Sequence, residues 1–278
     1  MDTPESQNAL IFALVHISLI ELNEKKLVEA RDKLDRAGKI LDTLDAVEKH
    51  IHAAYYRANA EYYKETLEFA PYYTNALLYL ACIELSTLST GEKQNLAYSI
   101  STAALLADSI FNFGELLQHP ILDVLDGTDL EWLKNFLFAM NSGNIAKFES
   151  LHSHLPEHPL LEQHKASLRE KIHLAALVEA IFKRPPHERV LSFEVISTET
   201  QIPKEQVEFL AMKALSLKLV KGHIDQVDER ISITWVQPRV LDKSQISVMR
   251  QRLVEWSERV QSLEKFVETN GQDIWATV

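Results

Sequence analysis

Nowhere in the 278 residues do two glycines lie closer than 13 positions apart. There are seven, at positions 38, 91, 114, 127, 143, 222 and 271, where an average usage of about 7% would supply roughly 19. A loop that cradles phosphate with backbone N–H groups needs two or three glycines within a few residues. Neither a dinucleotide fingerprint nor a P-loop can therefore be built from this chain, and no nucleotide cofactor is expected. The same scarcity suits long regular helices, because a glycine in a helix interior costs about 1 kcal/mol relative to alanine. Gly91 and Gly114 are expected between helical stretches, Gly222 in a strand and Gly271 past the last helix. The length itself predicts about two domains or a repeat architecture, since single cores stop growing near ~250–300 residues.

Charge narrows the classes further. Twenty-nine basic and 40 acidic residues give −11, the wrong sign for a protein that wraps nucleic acid or lies on anionic lipid with its whole surface. The single cysteine, Cys82, excludes an internal disulfide and a cysteine-based zinc site, and suits a reducing compartment. The apolar stretch Ala9–Ile20 is too short to span a bilayer and follows Asp2 and Glu5, a poor leader. The expectation is a soluble protein of the cytoplasm or nucleus, without a membrane role.

Residues 8 to about 182 carry helical periodicity almost throughout. Leu10, Leu14 and Ile17, then Leu27, Ala30, Leu34, Ala37 and Leu41, recur at steps of three and four, the mark of amphipathic helices. Asn23 is a candidate cap between these two. A third helix carries Ala54, Ala58, Tyr62 and Leu67 before Pro71 breaks or restarts it, a fourth Ala76, Leu77, Leu80 and Ile83, and a fifth Leu96, Ile100, Ala103 and Ala107. Consecutive helices of about 15–20 residues with short joints predict a helical-repeat, TPR-like solenoid over 1–182, without a strict sequence period. Seven of the eight tyrosines fall between 55 and 79; at helical spacing they are expected to pack between helices, the other reading being an aromatic recognition surface.

Lys183-Arg-Pro-Pro-His-Glu-Arg189 reads as a boundary, because two prolines cannot continue a helix. Beyond it come a short helix from Phe193 to Thr198 and a second with Pro203 at its first position and Val207, Leu210, Ala214 and Leu217 on one face. Then follow Leu219–Ile224, a polar loop from Asp225 to Glu229, and Ile231-Ser-Ile-Thr-Trp235 with strand alternation. This order is the layout of a winged helix, assigned to 183–240. Residues 241–278 hold a last helix with Ile246, Met249, Leu253, Trp256, Val260, Leu263 and Val267 at alternating steps of three and four. Three heptads without a polar interruption predict a coiled-coil or bundle seam, which Gly271 is expected to end. The alternative is a helix folded back on its own winged unit. At 1.5 Å per residue, however, the seam runs about 30 Å, more than a unit of some 50 residues can cover well, so intermolecular bundling is the expectation.

Solenoid, winged helix and terminal helix, in that order, resemble the PCI proteins, scaffold subunits of the proteasome lid, the signalosome and the eukaryotic initiation-factor complex. Phe111-Asn-Phe-Gly-Glu-Leu-Leu117, Asn141-Ser-Gly-Asn144, Val207-Glu with Met212-Lys-Ala-Leu-Ser216, Leu219-Val-Lys-Gly222 and Thr234-Trp-Val-Gln-Pro-Arg-Val-Leu-Asp242 are similar to the lid branch of that family. The resemblance extends from about residue 70 onward and is looser before it; family members begin with further helices, so the chain is expected to lack some of them. It implies a mainly α structural subunit without cofactor. The winged helix would join other PCI subunits, the last helix would enter a multi-subunit helical bundle, and the arm would contact neighbouring regulatory-particle subunits including the ubiquitin receptor. The alternative is a PCI adaptor of another complex with nucleic-acid contact.

The chemistry-bearing residues do not favour an enzyme. The 183–240 segment holds nine basic and eight acidic residues, and Glu205 and Glu208 open the helix that would enter a DNA groove, so duplex binding is not expected. The lid's zinc deubiquitinase class uses H-x-H followed at fixed spacing by Ser and Asp. After His50/His52 those places hold Ala60 and Tyr63, and after His152/His154 they hold Glu162 and Lys165. The four histidines at 152, 154, 158 and 164 are read as incidental residues of a solvated loop, with no metal expected. Cys82, in Leu80-Ala-Cys-Ile83, reads as a buried inert thiol. Trp235 and Trp256 are expected to be packing anchors, and Arg239 to brace the joint between wing and tail.

Overall fold

The computed structural model describes residues 4–44, 47–185, 188–238, 240 and 243–275. The chain forms two compact units, Met1–Gln237 and Pro238–Val278.

The first unit opens with two helical hairpins: α1 (Pro4–Asn23) with α2 (Leu27–Leu41), and α3 (Lys49–Glu65) with α4 (Phe69–Cys82). Both turn by the same device. Lys25 and Leu67 adopt left-handed backbone (φ 61° and 58°). The next N–H then reaches back five residues, from Lys26 to the Glu21 carbonyl (2.9 Å) and from Glu68 to the Tyr63 carbonyl (3.0 Å). Each closure satisfies a carbonyl at the helix end, the task that glycine usually serves. Three local expectations change. Asn23 is the last residue of α1 and not a cap, Leu67 lies past α3 with 62% exposure, and Pro71 sits in the first turn of α4. Proline is harmless there because a first-turn N–H has no helical partner to lose. The periodic residues Ala30, Leu34, Ala37 and Leu41 are buried as α2 predicts, the last three in a cluster with Ile11, Leu14 and Val15 of α1 and Ile51 and Ala58 of α3.

Next come α5 (Thr90–Leu106), α6 (Gly114–Gln118), α7 (Glu131–Ser142), α8 (Ile145–Leu151), α9 (Pro159–Gln163) and α10 (Lys165–Lys183), with short 3-10 turns at Leu85–Thr87, Pro120–Leu125 and His152–Glu157. Ser89 starts α5 with a capping box: its Oγ accepts from the Glu92 N–H (3.3 Å), and its own N–H donates to the Glu92 carboxylate (3.0 Å). Gly91 is thus in the first turn of α5 and Gly114 is the first residue of α6, so neither separates two helices. The largest core gathers Leu105, Phe113, Leu116, Leu133, Phe136 and Phe148 with Leu168 and Ile172 of α10. Gly143 ends α7 at φ 64°, and a Cβ there would lie 2.6 Å from the Ala176 Cα of α10. Both the backbone sign and the space demand glycine.

α10 then carries Leu174, Leu177 and Ile181 into the next core. That core is completed by β1 (Val190–Ser192), α11 (Phe193–Thr200), α12 (Lys204–Ser216), β2 (Val220–Asp225) and β3 (Arg230–Val236). The strands form an antiparallel sheet in the order β1-β3-β2, with Leu191 and Ile224 both opposite Ile231. This is a winged helix, as the pattern predicts, with Pro203 as N-cap of α12 in place of its first residue. A register shift at Lys221/Gly222 brings Gly222 so close to β3 that a Cβ would meet the Ser232 carbonyl at 2.1 Å.

The second unit is α13 (Lys243–Trp275), 33 residues long. The helix runs through Gly271 and does not stop there. A glycine weakens a helix by about 1 kcal/mol but keeps both its N–H and its carbonyl in the ladder. Arg239, the expected brace, falls outside the described residues. Among the described residues no helix is long and apolar enough to cross a membrane.

Candidate interaction surfaces

The helix that would read DNA in a nucleic-acid-binding winged helix is α12. Its outer surface carries exposed Glu205, half-buried Glu208, whose carboxylate accepts from Gln226 (3.1 Å), and Phe209 (64% exposed) and Met212 (48%). Four nearby cations are matched: Lys204 pairs with Glu229, Lys213 with Glu170 of α10, Arg184 with Glu199, and Lys183 with Glu179 at 3.7 Å. Carboxylates, matched cations and bare apolar side chains repel or ignore phosphate, whereas large apolar residues among polar ones mark protein contacts. On the hairpin, Lys221 Nζ lies 4.9 Å from the Trp235 ring centroid, and Trp235 keeps 37% exposure. It is half a packing residue and half a surface one.

On α13 the seven seam residues share one stripe and are all open: Ile246, Met249, Leu253, Trp256, Val260, Leu263 and Val267 are between 44% and 66% exposed. Trp256 is the most exposed of them. A continuous apolar stripe of this length on an exposed helix is more than singly scattered surface hydrophobics amount to.

Comparison with known proteins accounts for all three parts of the chain. The family described as PSD13 N-terminal repeats matches residues 2–137, the PCI domain residues 148–235, and the Rpn9 C-terminal helix residues 239–271. The probable 26S proteasome regulatory subunit rpn9 of Schizosaccharomyces pombe is 42% identical over 275 residues, 99% of this chain and 72% of the relative. The chain belongs to the Rpn9/PSD13 family of 26S proteasome regulatory subunits. Similar figures hold for the 26S proteasome regulatory subunit RPN9 of Saccharomyces cerevisiae, 44% identical over 91% of this chain and 65% of the relative. The 26S proteasome non-ATPase regulatory subunit 13 homolog A of Arabidopsis thaliana is 36% identical over 98% and 72%.

The family match therefore reaches well ahead of residue 70, before which the resemblance is looser. The PCI match starts inside α8, so the family's domain includes α8–α10 as well as the winged helix, in keeping with the α10 residues that complete its core. The C-terminal-helix match covers every seam residue.

The remaining candidate residues are structural. The histidines at 152–164 are half-buried and not on a solvated loop: His152 and His154 lie on the 3-10 turn, His158 between it and α9, and His164 between α9 and α10. His154 stacks on Trp132 at 5.5 Å, and His158 lies 5.0 Å from the same ring and 3.1 Å from the Tyr98 hydroxyl. His164 Nδ1 lies 2.9 Å from the Leu160 carbonyl. Among the described residues no group of three or more His, Cys, Asp or Glu is arranged to hold a metal ion. Cys82 is half-buried, and burial raises its thiol pKa while Lys49 acts the other way. Tyr72 and Tyr73 are buried, and burial pushes the Tyr72 phenol up to about 12. Tyr63 accepts a hydrogen bond from Arg31 (2.8 Å), which ties α3 to α2.

Periodicity could not reveal Lys171. On α10, only 5% exposed, its ammonium donates to the carbonyls of Ala104 (2.9 Å), Leu105 (3.1 Å) and Ala107 (2.8 Å) at the end of α5. The rings of Phe111 and Phe113 lie 5.4 and 5.2 Å from it. It caps the negative end of that helix from another element. Burial brings its pKa down to about 7, with Asp108 acting against the shift. A buried amino group that donates to helix-end carbonyls ties α10 to the end of α5.

Proposed function

We propose that the chain is a non-catalytic structural subunit of the proteasome regulatory-particle lid. A solenoid arm, residues 1–182, carries two assembly modules: the winged helix of 183–240, which meets other PCI subunits, and the bundle helix of 241–278, whose seam is Ile246, Met249, Leu253, Trp256, Val260, Leu263 and Val267. The arm meets neighbouring regulatory-particle subunits, the ubiquitin receptor among them, in cytoplasm and nucleus. One observation carries the reading: a helix that matches the family's C-terminal helix keeps three heptads of apolar side chains exposed. The winged-helix surface supports it, because α12 turns carboxylates and bare apolar groups outward, the opposite of a phosphate-binding face. A nucleic-acid adaptor outside the proteasome finds no support in the family matches.

The test is incorporation. The double variant Leu253→Asp, Val260→Asp should unfold in urea at the same midpoint as the unmodified chain, yet fall at least about tenfold in the lid recovered by affinity purification. Removal of residues 243–278 should do the same. Normal recovery of the double variant would overturn the role given to the seam.

A further inference from the structure

We infer that the α13 seam is built for an unlike partner, an amphipathic helix whose own apolar stripe is flanked by carboxylates. The inference rests on the assembly role proposed above and adds the chemistry of the partner. With Ile246, Leu253, Val260 and Val267 at a, and Met249, Trp256 and Leu263 at d, the positions beside the seam (e and g) are Arg250, Arg252, Ser257, Arg259, Glu264 and Phe266. Three arginines thus border the stripe against one carboxylate, in a chain whose net charge is −11. The other carboxylates of this stretch, Glu255, Glu258 and Glu268, fall at c, f and b, away from the stripe. Arg250, Arg252 and Arg259 are all exposed. In helical pairs the e and g charges choose the partner, so a run of guanidinium groups calls for Glu or Asp on the facing helix.

A second copy of this chain answers that demand poorly. Its flanks offer Glu264 alone for three arginines, so two arginines per helix stay unmatched or face arginine in any register. In the parallel, in-register pairing Trp256 also meets Trp256 in one d layer, overfilling a space between Leu253 and Val260. A carboxylate-flanked helix of different sequence relieves both costs.

The experiment uses the full chain and two designed helical peptides of about four heptads. They share one Leu/Ile stripe and carry Glu or Lys at every e and g position, so that each repels itself. Titrations followed by peptide fluorescence anisotropy at about 0.05 M and 0.5 M salt compare them. The chain should bind the Glu peptide at least about tenfold more tightly than the Lys peptide, with the preference shrinking at high salt. The triple variant Arg250→Glu, Arg252→Glu, Arg259→Glu should reverse the order, and Leu253→Asp with Val260→Asp should abolish both affinities. Equal affinity for the two peptides would overturn the partner chemistry and leave the seam standing. Undiminished binding by the Asp double variant would overturn the seam itself, and no binding of either peptide would overturn both. A micromolar dimer of the unmodified chain in sedimentation, dissolved by the Asp double variant, would replace the unlike partner with a second copy.

Discussion

α2 and α13 carry the same pattern and opposite fates. Both place apolar residues at steps of three and four. In α2, Ala30, Leu34 and Ala37 are fully buried, whereas in α13 the seven equivalent positions are at least 44% exposed. Periodicity defines a face, but it does not say what covers it. In α2 the cover comes from α1 and α3, close in sequence and joined by short turns. The difference separates residues that hold the fold together from residues that the fold leaves open.

The contrast breaks most easily at the level of single side chains. Leu34→Ala should lose about 2–5 kcal/mol of stability in urea unfolding of the full chain, while Leu253→Ala stays within ~0.5 kcal/mol. Comparable losses at both sites would mean that the fold depends on the α13 stripe no less than on the α2 stripe. Gly143→Ala tests the packed side alone. A left-handed alanine with its Cβ 2.6 Å from the Ala176 backbone should cost about 2–4 kcal/mol, and a neutral result would show that α7 and α10 can part without loss.

Charge offers a subtler version of the comparison. The Lys171 amino group is buried against α5, whereas the arginines of α13 stand in water. With its pKa brought down to about 7 in the fold, the unfolded chain keeps a proton that the folded one has lost between about pH 7 and 10. Stability therefore rises with pH across that window, on the order of 1 kcal/mol from pH 8 to 9. Above about pH 10 the buried Tyr72, raised to about 12, reverses the slope, because there the unfolded state is the one that loses the proton. Urea midpoints across pH 7–10 check this, and Lys171→Met should flatten the rise. The smallest effect belongs to the turns: Leu67→Gly should stabilise by about 0.5 kcal/mol in the same assay, since release of left-handed strain is partly offset by unfolded-chain entropy.

Much of the architecture was legible in the residues because helical and strand periods are local properties. The α2 stripe, the two winged-helix helices and the β3 alternation all follow from spacing. β1 was not legible: Val190–Ser192 is three residues long and follows a proline pair, so no alternation could build up. The helix ends at Lys25 and Leu67 escaped for a related reason. Left-handed caps are usually marked by glycine, and here lysine and leucine adopt that backbone because a carbonyl five residues back rewards the turn. Four histidines in thirteen residues resemble a solvated cluster in sequence, yet Trp132 and Tyr98, distant along the chain, pack against two of them.

The sequence by itself determined the helical bulk, the winged helix and the absence of a glycine-rich phosphate loop, since each depends on residues within a few positions of one another. Only the tertiary structure decided which apolar faces are spent on the fold, that α10 completes the winged-helix core, and that a lysine caps a helix more than sixty residues away. Those outcomes depend on which surfaces meet once the chain is compact, and burial of a given side chain is a property of its neighbours, not of its own spacing.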